Sequence, residues 1–291
     1  MPKSNVPIKA WWGLFKQVAN AWLDDYVPSM GAALAYYTLF SLAPLLLIVV
    51  SVAGLVFGEE AARGEIQTQL KDLMGDVGAD AVQSLLTSVR EPAEGWTATA
   101  VGLVLLFVGA TTVFAELQDA LDRIWGVPER LRKSGWFTLV RARLMAFGMI
   151  LALGFLLIVS LITSAMFAAM GRSLNPIFGG WQAVVEMGNA VGGFLLVAIM
   201  FGLIYKVMPR QRVLVSDVWL GALIATLLFT GGKFLIGAYI GRSGVASGFG
   251  AAGTLVVVLL WVYFSAQILL VGAEFSCAYV RTFGSHKTSD A

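Results

Sequence analysis

Cysteine and histidine each occur once in this 291-residue chain, as Cys277 and His286, and charged side chains make up only 13% of it. A single cysteine excludes an intrachain disulfide and any redox chemistry that needs a thiol pair. One histidine in a polar tail cannot assemble the His-containing ligand sets of metal-dependent hydrolases. No Walker sequence is present, so nothing supports nucleotide-driven pumping by this chain alone. The net charge of +2 is too small and too evenly spread to suggest a nucleic-acid surface. Residues 1–25 lack a continuous apolar core followed by a small-residue cleavage site, so no cleavable signal peptide is expected.

What the chain has in excess is apolar surface, 58% of its residues. Six runs, at 31–57, 97–115, 144–170, 187–205, 218–239 and 251–273, are each apolar for about 19 residues or more, enough to cross a bilayer core of about 30 Å as helix. The expected fold is all-α: a polytopic membrane protein with six transmembrane helices, an N-terminal interfacial helix and a short helical outer loop. Residues 1–29 form a lead-in, 30–283 the transmembrane domain and 284–291 a polar tail. If the N-terminus is cytoplasmic, all but Arg63, Lys71, Arg90, Arg172, Lys233 and Arg242 of the 20 cations lie on the inner side. The positive-inside rule then puts both termini in the cytoplasm.

Residues 8–23 mix Trp11, Trp12, Leu14, Phe15, Val18 and Trp22 with Lys9, Lys16 and Gln17, as in an amphipathic helix lying at the membrane interface. Pro44, in the middle of the first run, predicts a kinked helix or one divided in two. In the acidic 58–96 loop, apolar residues recur at helical steps on either side of Gly75 and Gly78, predicting two short amphipathic helices that serve as a lid or as a structured connector. After the second run, ELQDALDRIWGVPER keeps helical spacing until Gly126 and Pro128 end it. Glu116, Asp119 and Arg123 at i, i+3 and i+7 read as an ion-pair ladder on one face. Gly188 with Gly192, and Gly237 with Gly241, have the spacing of close helix packing. A faint likeness joins GAALAYYTLF, from Gly31, to GALIATLLF, from Gly221.

An ionisable group within a membrane is a functional candidate only if it cannot reach water. Counted from the ends of the runs, Glu116, Arg143, Lys206, Asp217 and Glu274 all fall at the cytoplasmic edge, as one ion network together with Asp119 and Arg123. Lys233 lies within snorkelling range of the outer interface. Tyr263, Gln267 and Glu274 share a polar stripe from mid-membrane to the cytoplasmic mouth. Set against Tyr36, Tyr37 and Ser41 of the first run, this stripe reads either as the border of an inward-opening cavity, gated near Pro44, or as hydrogen-bonding glue between helices.

AALAYYTLFSLAPLL, ELQDALDRIWGV, YKVMP and GAAGTLVVVLLWVYFSAQILLVGAEF occur in that order. Together they resemble the YihY/BrkB family of bacterial inner-membrane proteins over roughly residues 11–283. The resemblance implies a six-span inner-membrane protein without an assigned activity; members have carried virulence-factor labels, a transfer-RNA ribonuclease (ribonuclease BN) label, and suggested lipid or export roles. It marks Tyr36, Tyr37, Pro44, Glu116, Asp119, Lys206, Pro209, Asp217, Lys233, Gln267 and Glu274 as positions of interest, without assigned roles. A nuclease site built from Glu116 and Asp119 would lack a basic RNA groove, so no enzyme activity, catalytic residue, metal or cofactor is expected. The expected function is translocation of a lipid, lipid-linked metabolite or small solute, with membrane lipids as partners; the alternative is a non-transporting scaffold or accessory subunit.

Overall fold

The computed structural model describes residues 8–89, 112–129, 148, 166, 181–211, 213–242, 248–249 and 252–283, and among them every regular element is helical. The helices are α1 (Ile8–Asp24), α2 (Val27–Phe57), α3 (Glu59–Val89), α4 (residues 112–124), α5 (Trp181–Val207), α6 (Val215–Arg242) and α7 (Gly253–Phe283). Most of the second expected span, the third span, Arg143 and the tail with His286 lie outside the described residues. Within the described residues three helices are long and apolar enough to cross a membrane, at Ala190–Val207, Val215–Ile240 and Gly253–Thr282.

Helix α7 is the axis of the fold, because it meets each of the other described helices. Its tightest neighbour is α6, and the two approach through glycine. A Cβ on Gly221 would collide with the Gly272 carbonyl and Ser276, and one on Gly272 would collide with the Tyr205 hydroxyl and stand 2.6 Å from Ala225 Cβ. Tyr205 of α5 is fully buried and donates its hydroxyl to the Leu269 carbonyl at 2.6 Å. Three backbones are thereby drawn together by small residues and one buried hydroxyl, the usual solution where lipid supplies no apolar driving force between helices. Of the glycines at packing spacing in the sequence, one from each pair faces open space. At Gly192 and Gly237 an added Cβ would meet nothing within 4 Å. Spacing reports two glycines on one helix face, and only the neighbour decides whether that face is a contact.

Around this crossing lies one core of Val27, Met30, Leu34, Leu121, Ile124, Phe201, Val218, Ala222, Leu270 and Ala273, among others. A second core forms at the opposite end of α6 and α7, where Met74, Ala81 and Val82 of α3 cover Ile236, Ile240, Val257 and Val258. Helix α3 breaks at Gly75, whose φ of 73° is open to glycine without strain. Its two segments pack against the bundle.

Two expectations gain structural detail. The backbone of α2 runs as one helix from Val27 to Phe57, so Pro44 does not divide it; proline removes a single i→i−4 bond, and a helix of 31 residues retains the others. Helix α1 packs on α7. Its Leu14 and Val18 are buried against Phe275 and Ala278, Phe15 meets Phe275 edge-on at 5.2 Å, and Thr282 donates to Gln17 at 3.2 Å. Trp12 and Leu23 remain exposed.

The α6–α7 crossing yields a direct test. Gly272→Ala forces a methyl group into filled space and is expected to destabilise the protein by about 1–3 kcal/mol. Gly237→Ala, with open space at Cβ, is expected to be neutral or to stabilise by up to about 1 kcal/mol through helix propensity. Thermal unfolding of the two purified variants in detergent checks the contrast.

Candidate functional site

Helix α4 ends in a sequence-encoded stop. Gly126, at φ 68°, donates its N–H to the Arg123 carbonyl, and Val127 donates to the Asp122 carbonyl. This is the paired bond pattern of a glycine-terminated helix. The Ile124 carbonyl, left without an intrahelical donor, takes the Cys277 thiol at 3.2 Å and Arg281 Nη2 at 3.5 Å from α7. One face of α4 also grips the chain leaving α5. Gln118 donates to the Met208 carbonyl at 2.8 Å, while Asp122, with no exposed surface, accepts from the Arg210 N–H at 2.7 Å and from its guanidinium at 2.5 Å.

The expected ion network therefore divides. Asp119 takes its ion partner across the chain, Arg210 at 3.0 Å, rather than Arg123 along the helix. Burial raises the Glu116 carboxyl above its ordinary range, the Asp119 charge adds to this, and Arg123 opposes it. Burial likewise pushes Asp122 upward against the hydrogen bonds of Arg210. Lys206 donates to the Val213 carbonyl, and Asp217 sits buried in the first turn of α6 with Ser216 donating to it at 3.2 Å. Carboxylate at a helix N-terminus is favoured by the aligned peptide dipoles. Pro209 is buried in the turn that Asp122 holds.

The stripe on α7 has two fates. Gln267 accepts from Trp22 Nε1 at 3.0 Å and donates to the Val27 carbonyl at 3.3 Å, so one amide holds both sides of the α1–α2 turn. Gly31 makes this possible, since a Cβ there would collide with the Gln267 amide and stand 3.6 Å from the Tyr263 ring. The turn itself carries Tyr26 at φ 57°, a left-handed conformation costing a residue with a Cβ about 1–2 kcal/mol. Glu274, two turns further along α7, is 2% exposed, and its Oε1 makes no hydrogen bond. Asp25, at the α1–α2 turn, and Arg281, further along α7, act on it with opposite charge.

Other candidates stand apart. Tyr36 is 56% exposed and packs edge-on with Tyr37 and Phe40, on a face about 140° around α2 from Gly31. It does not face the stripe. Ser41 is buried and donates back to the Thr38 carbonyl. Lys233 lies 5.3 Å from the centroid of the Phe234 ring. The Pro44 side chain is outside the described residues. Among the described residues no three His, Cys, Asp or Glu side chains gather as metal ligands would. Sequence reading overlooked Trp22, Asp25, Asp122 and Arg210. Asp122 had a signal, lying three residues after Asp119 on the face already marked as ionic; the Trp22 partnership spans 245 positions and had none.

A family model described as Virulence factor BrkB matches residues 18–291. A UPF0761 membrane protein of Pseudomonas paraeruginosa is 30% identical over 261 residues, covering 89% of this chain and 61% of the relative. One from Halorhodospira halophila is 28% identical over 253 residues, covering 86% and 53%. One from Alteromonas mediterranea is 24% identical over 274 residues, covering 92% and 88%. The chain thus spans about three fifths of the length of the Pseudomonas relative. No solved structure matches.

Two outcomes follow from α4. Asp122→Ala leaves Arg210 without its buried partner and is expected to cost about 3 kcal/mol, whereas Asp119→Ala, at an exposed carboxylate, should cost less than about 1. Chemical denaturation of both variants compares them. Because the folded state raises the Glu116 pKa above 4.5, folding is favoured by protonation there and loses stability as pH rises through that higher value. Glu116→Gln should therefore gain in melting temperature relative to the parent as pH is raised, with no difference well below the ordinary carboxylate range.

Proposed function

Because the chain belongs to the family described as Virulence factor BrkB and is a membrane protein, we propose that it translocates a lipid, a lipid-linked metabolite or a small solute across the bacterial inner membrane. In this reading six helices span the bilayer, both termini are cytoplasmic, and a cavity opens inward beside α2, α6 and α7. Membrane lipids are its partners, and it needs no catalytic residue, metal or cofactor.

One observation carries the proposal: Glu274, buried in a membrane-length helix with an oxygen that has no partner. A carboxyl kept out of water without full hydrogen bonding weakens the fold, and such groups are retained within spans chiefly where they serve a pathway. The alternative, a non-transporting scaffold or accessory subunit, draws on Gln267, whose amide is engaged at both ends in holding helices together.

Reconstitution into liposomes with a lipid-scrambling readout and a solute-uptake readout tests the choice. Movement of either probe that falls about tenfold or more in Glu274→Gln, at unchanged membrane abundance, supports translocation. Absence of both activities from the parent protein, or equal activity in the variant, overturns it.

A further inference from the structure

Helix α1 has three faces, of which α7 covers one. At about 100° per residue, Leu14, Val18, Ala21 and Trp22 fall on one side of it, Lys16, Gln17, Asn20 and Asp24 on a second, and Trp12, Phe15, Ala19 and Leu23 on a third. Burial follows this division. The first face packs on α7, Leu14 and Val18 against Phe275 and Ala278 and Trp22 on Gln267. The second is exposed and polar, as contact with water requires. The third is exposed and apolar: Trp12 keeps 66%, Phe15 53% and Leu23 62% of its surface uncovered, and Ala19 between them is exposed as well.

The place at which α1 docks says what meets this third face. As helix, the apolar stretch Gly253–Thr282 of α7 measures about 45 Å against a hydrocarbon core of about 30 Å, so it reaches into the headgroup layer, and Arg281 in its last turn marks the end that does so. Helix α1 lies across those last turns, with Phe15 on Phe275 and Gln17 at Thr282. A helix held there has the bundle on one side, water on another and the lipid leaflet on the third.

The chemistry of the third face fits lipid better than a second helix. Trp12, Phe15 and Leu23 are bulky, with only Ala19 small, whereas helices that pair within a membrane approach through rows of small residues. Exposed Lys16 borders the strip on its polar side, where its stem can lie along the apolar row while its ammonium stays among the headgroups. Left in water, the strip would be a continuous apolar patch; set into the acyl boundary, it is the buried side of an interfacial helix.

We propose that α1 is wedged between α7 and the lipid leaflet, with Trp12, Phe15, Ala19 and Leu23 set into the acyl boundary and Leu14 and Val18 reserved for α7. Sequence periodicity groups these apolar residues as one interfacial side; the fold divides them between two partners. The same helix ends at the turn that Gln267 holds, so the leaflet contact also steadies the entry into α2. This assignment is independent of whether the protein moves a lipid or a solute.

Spin labels on the full-length protein in phosphatidylcholine vesicles test it. In a Cys277→Ser background, Trp12→Cys, Ala19→Cys and Leu23→Cys each place a nitroxide on the third face, and Asn20→Cys and Asp24→Cys place one on the polar face. Labels on the third face should show a several-fold higher ratio of relaxation by oxygen, which concentrates in lipid, to relaxation by a water-soluble nickel chelate than labels on the polar face. Equal ratios on the two faces would put the strip in water and overturn the proposal. Third-face labels shielded from both reagents would give the strip a protein occupant, a second copy of this chain, and overturn it equally. If Cys277→Ser fails to fold, the buried native thiol is kept and the same positions are labelled on the folded protein.

Discussion

The approach of α6 to α7 at Gly221 and Gly272 is the constraint on which the remaining geometry depends. Without side chains there, the two backbones come close enough for Ser276 to share the Gly272 and Val218 carbonyls, and Tyr205 can reach across to Leu269. In lipid, helices gain little by burying apolar surface against each other, so close backbone packing and a few hydrogen bonds must hold them. Widening this crossing would move α7 relative to everything that uses it as a reference: α1, the α1–α2 turn, the end of α4 and the α3 connector.

Polar groups on α7 beyond the crossing are arranged in order of decreasing satisfaction. Gln267 is engaged by both its oxygen and its nitrogen, Cys277 and Arg281 complete the Ile124 carbonyl, and Glu274 Oε1, like Ser265 Oγ and Trp261 Nε1 on the same helix, has no hydrogen-bond partner. Of these three only Glu274 is ionisable, and burying an ionisable group without full hydrogen bonding weakens the fold more than an unpaired hydroxyl or ring nitrogen does. The clamp of Asp122 on Arg210 at α4 shows the contrasting case. There burial is offset by a backbone and a guanidinium donor, and the result is a rigid joint between α4 and the chain entering α6.

Much of this was legible in local pattern. The all-helical class, the glycine stop at Gly126, the interruption of α3 at Gly75 and the placement of Gln267 and Glu274 along one helix all follow from periodicity and from residues with narrow conformational preferences. The faint likeness between the segments from Gly31 and Gly221 also acquires a physical content. Each glycine is the point at which its helix meets α7, Gly31 at Gln267 and Gly221 at Gly272. What misled were inferences from spacing to partnership: Asp119 with Arg123, and Tyr36 with the α7 stripe. Residues three or four apart share a face of their own helix, but nothing in that spacing says what stands opposite.

By itself, then, the sequence determined that the chain is helical and suited to a membrane, that α4 stops at Gly126, and which side chains are polar within apolar surroundings, since these depend on composition and on neighbours a few residues away. Only the tertiary structure decided that Trp22 meets Gln267, that Arg210 meets both Asp119 and Asp122, and that Tyr205 reaches the Leu269 carbonyl. Those pairings join positions far apart in the chain. Whether a carboxyl in a span is paired, exposed or set against another carboxyl depends on a distance that no one-dimensional pattern contains.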